Sequence, residues 1–184
     1  MMKTFKHIAA SLVLVWGFTA CQQNYKIEGI AEGFSPGDTL LITTDLDSLR
    51  PQAEVIIDKE GCFTYGEHSD TIIIHQLYAK ADPEVCCYYF SEPGTISLTL
   101  RTEGRSRVGG TSLNDEWQQL DDICYDYEQK LEALVARFYD EHMTEDELNQ
   151  TSEQIKLLDQ EKQRWVQDFT QRNAENAIGL FLKK

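Results

Sequence analysis

The stretch "VGGTSLNDEWQQL" (108–120) decides how this chain folds, because the spacing of its apolar residues changes inside it. Beyond Thr111, the residues Trp117, Leu120, Cys124, Tyr127, Leu131, Leu134 and Phe138 recur at intervals of three and four. Side chains so spaced form one stripe of a long α-helix. Ser112 or Asn114 is the expected cap. A second helix is expected from "TEDE" (144–147), where Thr144 caps and Glu147 stands three residues on, the capping-box spacing. Its stripe is Leu148, Thr151, Ile155, Leu158, Lys162, Trp165 and Phe169. Asp140 to Met143 form a short link, so the two helices are expected to fold back antiparallel. Between Ser112 and Glu175 there are 17 acidic and 6 basic residues, which reads as solvated outer faces. Trp117, Trp165 and the two stripes read as mutual packing; the alternative use is one side left open for a partner.

Upstream of Thr111 the pattern is that of β-structure. Short runs rich in β-branched and aromatic residues are cut by turn residues. In "YKIEGIAEG" (25–33), Ile27 and Ile30 are expected near a bend at Gly29. "SPGD" (35–38) is a turn, and "TLLITT" (39–44) a strand. Asp58-Lys59-Glu60-Gly61 reads as a hairpin, with Gly61 free to take positive φ. "DTIIIHQLYAK" (70–80) is the longest strand candidate. "EPG" (92–94) reads as a further hairpin, and "SRVGGT" (106–111) as a last short strand. Seven or eight such strands predict an antiparallel sandwich or open barrel. The fold class is therefore α+β.

Little in this part suggests chemistry. His68 and His75 lack metal-ligand spacing around them, and His75 reads as a packed or rim histidine. Asp45 and Asp47 offer fewer oxygens than a calcium loop needs. Gly109-Gly110 has no phosphate-loop lysine after it and reads as a turn. Asp121-Asp122 and Glu145-Asp146-Glu147 diverge around a helix axis, so neither forms a metal site. No catalytic, cofactor or metal site is expected.

The first residues read as an address. Lys3 and Lys6 precede an apolar run from Ile8 to Phe18, and Thr19-Ala20-Cys21 is a small-residue exit. That is the layout of a signal peptide, and the run is short of the roughly 20 residues a membrane-spanning helix needs. "FTAC" resembles a bacterial lipobox, with Phe18 where Leu is usual. Cys21 is the expected lipidation site, and the lipid would hold the protein at a membrane. The alternative is a soluble secreted protein cut near Ala20. The expected divisions are a signal peptide (1–20), a lipidated cysteine and tether (21–24), a β-rich domain (25–111), and a helical hairpin with a C-terminal tail (112–184).

Charge narrows the partners. The chain of 184 residues carries a net charge of −14, which repels phosphate backbones and so argues against nucleic acid. Membrane contact is therefore assigned to the lipid anchor. With Cys21 lipidated, Cys62, Cys86, Cys87 and Cys124 remain. They allow three full pairings and contain no Cys-x-x-Cys motif. Cys86 and Cys87 are adjacent and would point to opposite faces of a strand. The four are read as small thiols of the interior rather than disulfides.

The segments "YKIEGIAEGFSPGDTLLI" (25–42), "FSEPGTISLTL" (90–100), "VGGTSLNDEWQQL" (108–120) and "NAENAIGLFL" (173–182), with Cys21, resemble a known arrangement. It is the N-terminal domain of unknown function in Bacteroidetes envelope lipoproteins, where a thioredoxin-like thiol-disulfide oxidoreductase domain follows. Gly110 to Asp115, leading into an acidic helix, is its most specific part. Those proteins continue into a Trp-Cys-x-x-Cys domain, whereas this sequence stops at Lys184, so no active-site residue carries over. The resemblance implies an accessory or binding module of the cell envelope, facing the periplasm, with a thioredoxin-like oxidoreductase as protein partner. The expected protein is not an enzyme. The alternatives are a thiol-active protein using Cys86, Cys87 or Cys124, and a truncated remnant of a longer oxidoreductase.

Overall fold

The computed structural model describes residues 24–139 and 142–183. The signal-peptide and lipidation readings, Cys21 included, fall outside the described residues, as do Asp140 and Glu141 of the link between helices. Among the described residues, eight strands precede three helices. The strands are β1 (Asn24–Glu32), β2 (Thr39–Thr43), β3 (Ala53–Ile56), β4 (Cys62–His68), β5 (Ile74–Ala79), β6 (Cys86–Phe90), β7 (Gly94–Arg101) and β8 (Arg107–Gly109). The helices are α1 (Ser112–Phe138), α2 (Glu145–Arg172) and α3 (Ala177–Leu182). The strands form two four-stranded sheets, ordered β4-β1-β7-β8 and β3-β2-β5-β6. This is the α+β architecture expected from the change of period.

The sheets enclose one core. Along β1 the alternation is strict: Tyr25, Ile27 and Ala31 are buried while Lys26, Glu28 and Ile30 are exposed. Ile27, Leu40, Leu77, Tyr89, Ile96 and Leu100 are fully buried between the layers. Fully burying such a side chain contributes about 1.5–3 kcal/mol, so this row dominates the stability of the layer pair. Contrary to the expected bend, β1 runs straight through Gly29. The glycine is there for space: the Phe63 ring, its cross-strand neighbour, lies 2.1 Å from where a Cβ would stand.

Two expected hairpins prove to be corners. Asp58 to Gly61 does turn the chain, with Gly61 at φ 77° and the Asp58 carboxylate accepting from the N–H groups of Glu60 and Cys62. Yet β3 pairs with β2 and β4 with β1, so the turn carries the chain from one sheet to the other. Glu92 to Gly94 does the same between β6 and β7. As a result β7 enters beside β1 in parallel, while every other pair is antiparallel. The longest strand is β1, with nine residues, and not the 70–80 segment, of which only Ile74–Ala79 pairs.

The helices follow the sequence closely, with one change of partner. α2 begins with the expected capping box: Glu147 N–H donates to Thr144 Oγ1 at 3.3 Å and Thr144 N–H donates to Glu147 Oε2 at 2.9 Å. The cap of α1 is neither Ser112 nor Asn114. Thr111 is the N-cap residue and makes no side-chain cap bond. Instead Leu113 N–H donates to Glu92 Oε2, at 2.7 Å, from the corner between the sheets. A second apolar cluster unites Phe90, Trp117, Leu120, Trp165, Phe169 and Ile178. Trp117 meets Phe90 and Phe181 edge-on, and Trp165 stacks on Phe169. The last segment folds back as α3, capped by Asn176. Tyr127 bonds Glu161 and Lys162 pairs with Glu128, as an antiparallel hairpin requires. Among the described residues, no helix is long and apolar enough to cross a membrane.

Candidate functional site

The first turns of α1 lie across the gap between the two sheets, where β6 and β8 are edge strands. An edge strand presents unpaired backbone groups that need partners. α1 supplies two of them with amide side chains. Asn114 Oδ1 accepts from Phe90 N–H at 2.8 Å and Asn114 Nδ2 donates to Phe90 O at 2.9 Å, on the edge of β6. Gln118 Oε1 accepts from Val108 N–H at 2.7 Å, on the edge of β8. Both amides are buried. Gly110, at φ 89°, makes the turn into α1 and has Thr95 O only 2.6 Å from a Cβ position, so the close approach admits no side chain.

Next to this clamp is a cleft of about 470 Å³, lined among others by Cys86, Tyr88, Arg101, Arg105, Trp117 and Asp121. Its arginines are already neutralised. Arg101 holds Glu32 through two hydrogen bonds, at 2.7 and 3.2 Å, and this holds the Glu32 carboxyl below the usual range. Arg105 pairs with Asp121, and its Nη1 lies 3.0 Å from Asp122. Arg107 grips Asp122 through both nitrogens at 2.8 and 3.1 Å. Burial pushes the Asp122 carboxyl up, but Arg107, Gln118 and Arg105 outweigh it and hold it below the usual range. Asp121 and Asp122 are thus partners of arginine. Among the described residues, no cluster of His, Cys, Asp and Glu could hold a metal ion.

The four described cysteines are free thiols. Cys86 and Cys87 both line the cleft, from β6. Cys87 points into the core, where burial pushes its thiol well up. Cys124 packs against the second cluster from α1, and its thiol is raised by burial as well. Cys62 stands on β4, at the opposite edge of its sheet from β8. The fold therefore gathers two of the four.

Asp45 is tied within its own loop, accepting from Ser48 N–H at 3.0 Å and from the Ser48 hydroxyl, which lowers its pKa. His68 contacts Asp70 at 2.9 Å. His75 is a packed histidine, 4% exposed, stacked on Tyr89 with ring centroids 4.9 Å apart. Neither of its ring nitrogens has a hydrogen-bond partner among the described residues. Burial lowers its pKa to about 4, against a smaller opposing pull from Glu67. The nearby Tyr25 and Tyr65 hydroxyls both donate to Glu67, at 3.3 and 2.8 Å.

Of the residues that build the cleft, Cys86, Cys87, Trp117 and Asp121 are ones that the sequence singles out, whereas the arginines are not. Their signal was "RTEGRSR" (101–107), three arginines close together in a chain of net charge −14. No protein-family model matches this chain, and no curated protein matches it.

Proposed function

We propose that this protein is a non-catalytic lipoprotein of the cell envelope, an accessory or binding module of the kind attached to thioredoxin-like oxidoreductases. Cys21 carries the lipid and anchors the chain to a membrane, with the folded part facing the periplasm. The observation that carries the non-catalytic reading is the state of Cys87: a thiol 7% exposed, pushed up by burial, is a poor nucleophile at neutral pH. Cys124 is shifted the same way. The lipobox-like "FTAC" and the resemblance of "VGGTSLNDEWQQL" support the envelope and accessory parts of the reading.

One observation favours the thiol-active alternative. Cys86 opens on the cleft whose wall also carries Arg105. A disulfide-reduction assay on insulin with dithiothreitol separates the two readings. The expected rate is that of dithiothreitol alone. Acceleration that disappears in Cys86→Ser would replace the binding-module reading. The anchor is tested by intact mass from the membrane fraction: residues 21–184 plus lipid are expected, and an unlipidated chain retaining Met1 would overturn it.

A further inference from the structure

The bonding parity of β6 determines which of its backbone groups are spare. Ala79 N–H donates to Val85 O at 3.0 Å, and Ser91 N–H donates to Ile73 O at 3.0 Å. Between these points Leu77 pairs with Cys87 and His75 with Tyr89. Cys87 and Tyr89 therefore turn their N–H and C=O groups toward β5, as do Val85 with its C=O and Ser91 with its N–H. Alternate residues of an antiparallel strand turn them the other way. Phe90 belongs to that second set, and Asn114 satisfies both its groups. Cys86 and Tyr88 belong to it too. Both residues line the cleft, and among the described residues Tyr88 O meets only the weak Cys87 thiol donor at 3.8 Å.

We propose that the β6 edge at Cys86 and Tyr88 receives an extended, basic peptide segment of a partner protein, which adds as a strand within the cleft. Spare groups two residues apart match the repeat of an added strand, which would sit about 4.7–4.9 Å away. Charge selects the kind of segment. The cleft arginines are matched by Glu32, Asp121 and Asp122, whereas Asp82 and Glu84 on its wall have no ion-pair partner among the described residues. The uncompensated charge is negative, so lysine or arginine beside the added strand is favoured. A second copy of this chain, at net −14, would bring like charge. The proposal rests on the binding-module reading and names the surface and partner chemistry it would use.

The probe is a synthetic heptapeptide, acetyl-Lys-Thr-Val-Thr-Val-Thr-Lys-amide, titrated into the full chain at low salt. Without peptide, the Cys86 and Tyr88 amides are expected to exchange fast and those of Cys87 and Tyr89 slowly; peptide should protect the first pair. In either strand direction, only peptide residues of one parity can bond to the edge. N-methylation at that parity should weaken binding by at least about tenfold, and at the other parity far less. Glutamate in place of both lysines should also cost about tenfold. Tyr88→Pro removes an N–H that the ladder does not use, so it should fold normally and bind about tenfold more weakly. Equal losses at both parities, undiminished binding of the glutamate peptide, or wild-type affinity in Tyr88→Pro would overturn the proposal. So would protection of the Cys86 and Tyr88 amides that grows with protein concentration alone, which would assign the edge to a second copy. No binding by any peptide, with insulin reduction still at background, overturns the docking edge and leaves the non-catalytic reading standing.

Discussion

Asn114 and Gln118 stand one helical turn apart on α1 and hold opposite sheets. Asn114 closes on both backbone groups of Phe90, while Gln118 takes the N–H of Val108. Residues four apart lie on the same helix face, so one face of one helix ties β6 to β8. Gln118 then passes its amide hydrogens to Asp122 at 2.9 Å and Asp121 at 3.3 Å, joining the clamp to the arginine pairs of the cleft.

Removing the clamp should be costly because its partners are buried. Asn114→Ala orphans the Phe90 N–H, while Phe90 O keeps the Glu92 N–H at 2.7 Å, so a loss of about 1–3 kcal/mol is expected. Gln118→Ala orphans the single Val108 N–H and should cost about 1–2 kcal/mol. Urea unfolding measures both. Each variant orphans one buried N–H, so a loss well under about 1 kcal/mol in either would contradict the clamp.

Gly29 and Phe63 form a matched pair across β1 and β4. Gly29→Ala should destabilise by about 1–3 kcal/mol, the usual cost of overpacking, because the new methyl meets the Phe63 ring. Adding Phe63→Leu should recover part of that loss, since the smaller side chain vacates the space. A double-mutant cycle on thermal unfolding reads the coupling. Strictly additive losses would mean that Gly29 is needed for some reason other than the ring.

His75 should make stability pH-dependent on the acid side. Its folded pKa is lowered to about 4, below the unfolded value of about 6.5. The unfolded chain thus takes the proton first as pH falls. The neutral ring's full contribution is present above about pH 6.5 and is lost progressively toward pH 4, by about 3 kcal/mol at most. His75→Phe keeps a ring against Tyr89 and removes the titration. Stability measured between pH 7 and 4 should fall more steeply in the wild type than in the variant; parallel curves would refute the shift.

Thiol reactivity should follow burial. In the native protein Cys87, 7% exposed, is expected to alkylate far more slowly than the half-buried Cys62 and Cys86. After unfolding without reductant all four of Cys62, Cys86, Cys87 and Cys124 should react, because none is in a disulfide. Peptide mass mapping before and after unfolding reads both. A pair that reacts only after reduction would show a disulfide and revive the redox alternative.

Parts of this fold lie in short spans of the chain. The three-and-four spacing after Thr111 located α1, and Thr144 with Glu147 located the start of α2. Gly61 marked a turn. Each of these depends on hydrogen bonds or steric contacts within a few residues, so a short window contains the whole cause. The same windows misplaced the cap of α1, because its partner is Glu92, 21 residues away. They offered Asn114, beside Ser112, as the cap, whereas it completes a strand edge, because an amide serves a backbone group anywhere with equal chemistry.

By itself, then, the sequence determined the kinds of element and their order: a run of seven or eight short strands, then a long acidic helical hairpin. Tertiary structure alone decided that the turns at Asp58 and Glu92 change sheets, that β7 lies parallel to β1, and that β6 faces a cleft. The physical reason is that strand pairing is settled by which faces bury one another, and the cost of closing a loop rises only slowly with its length. Neighbours in sequence therefore hold little advantage over distant strands once a common core can form.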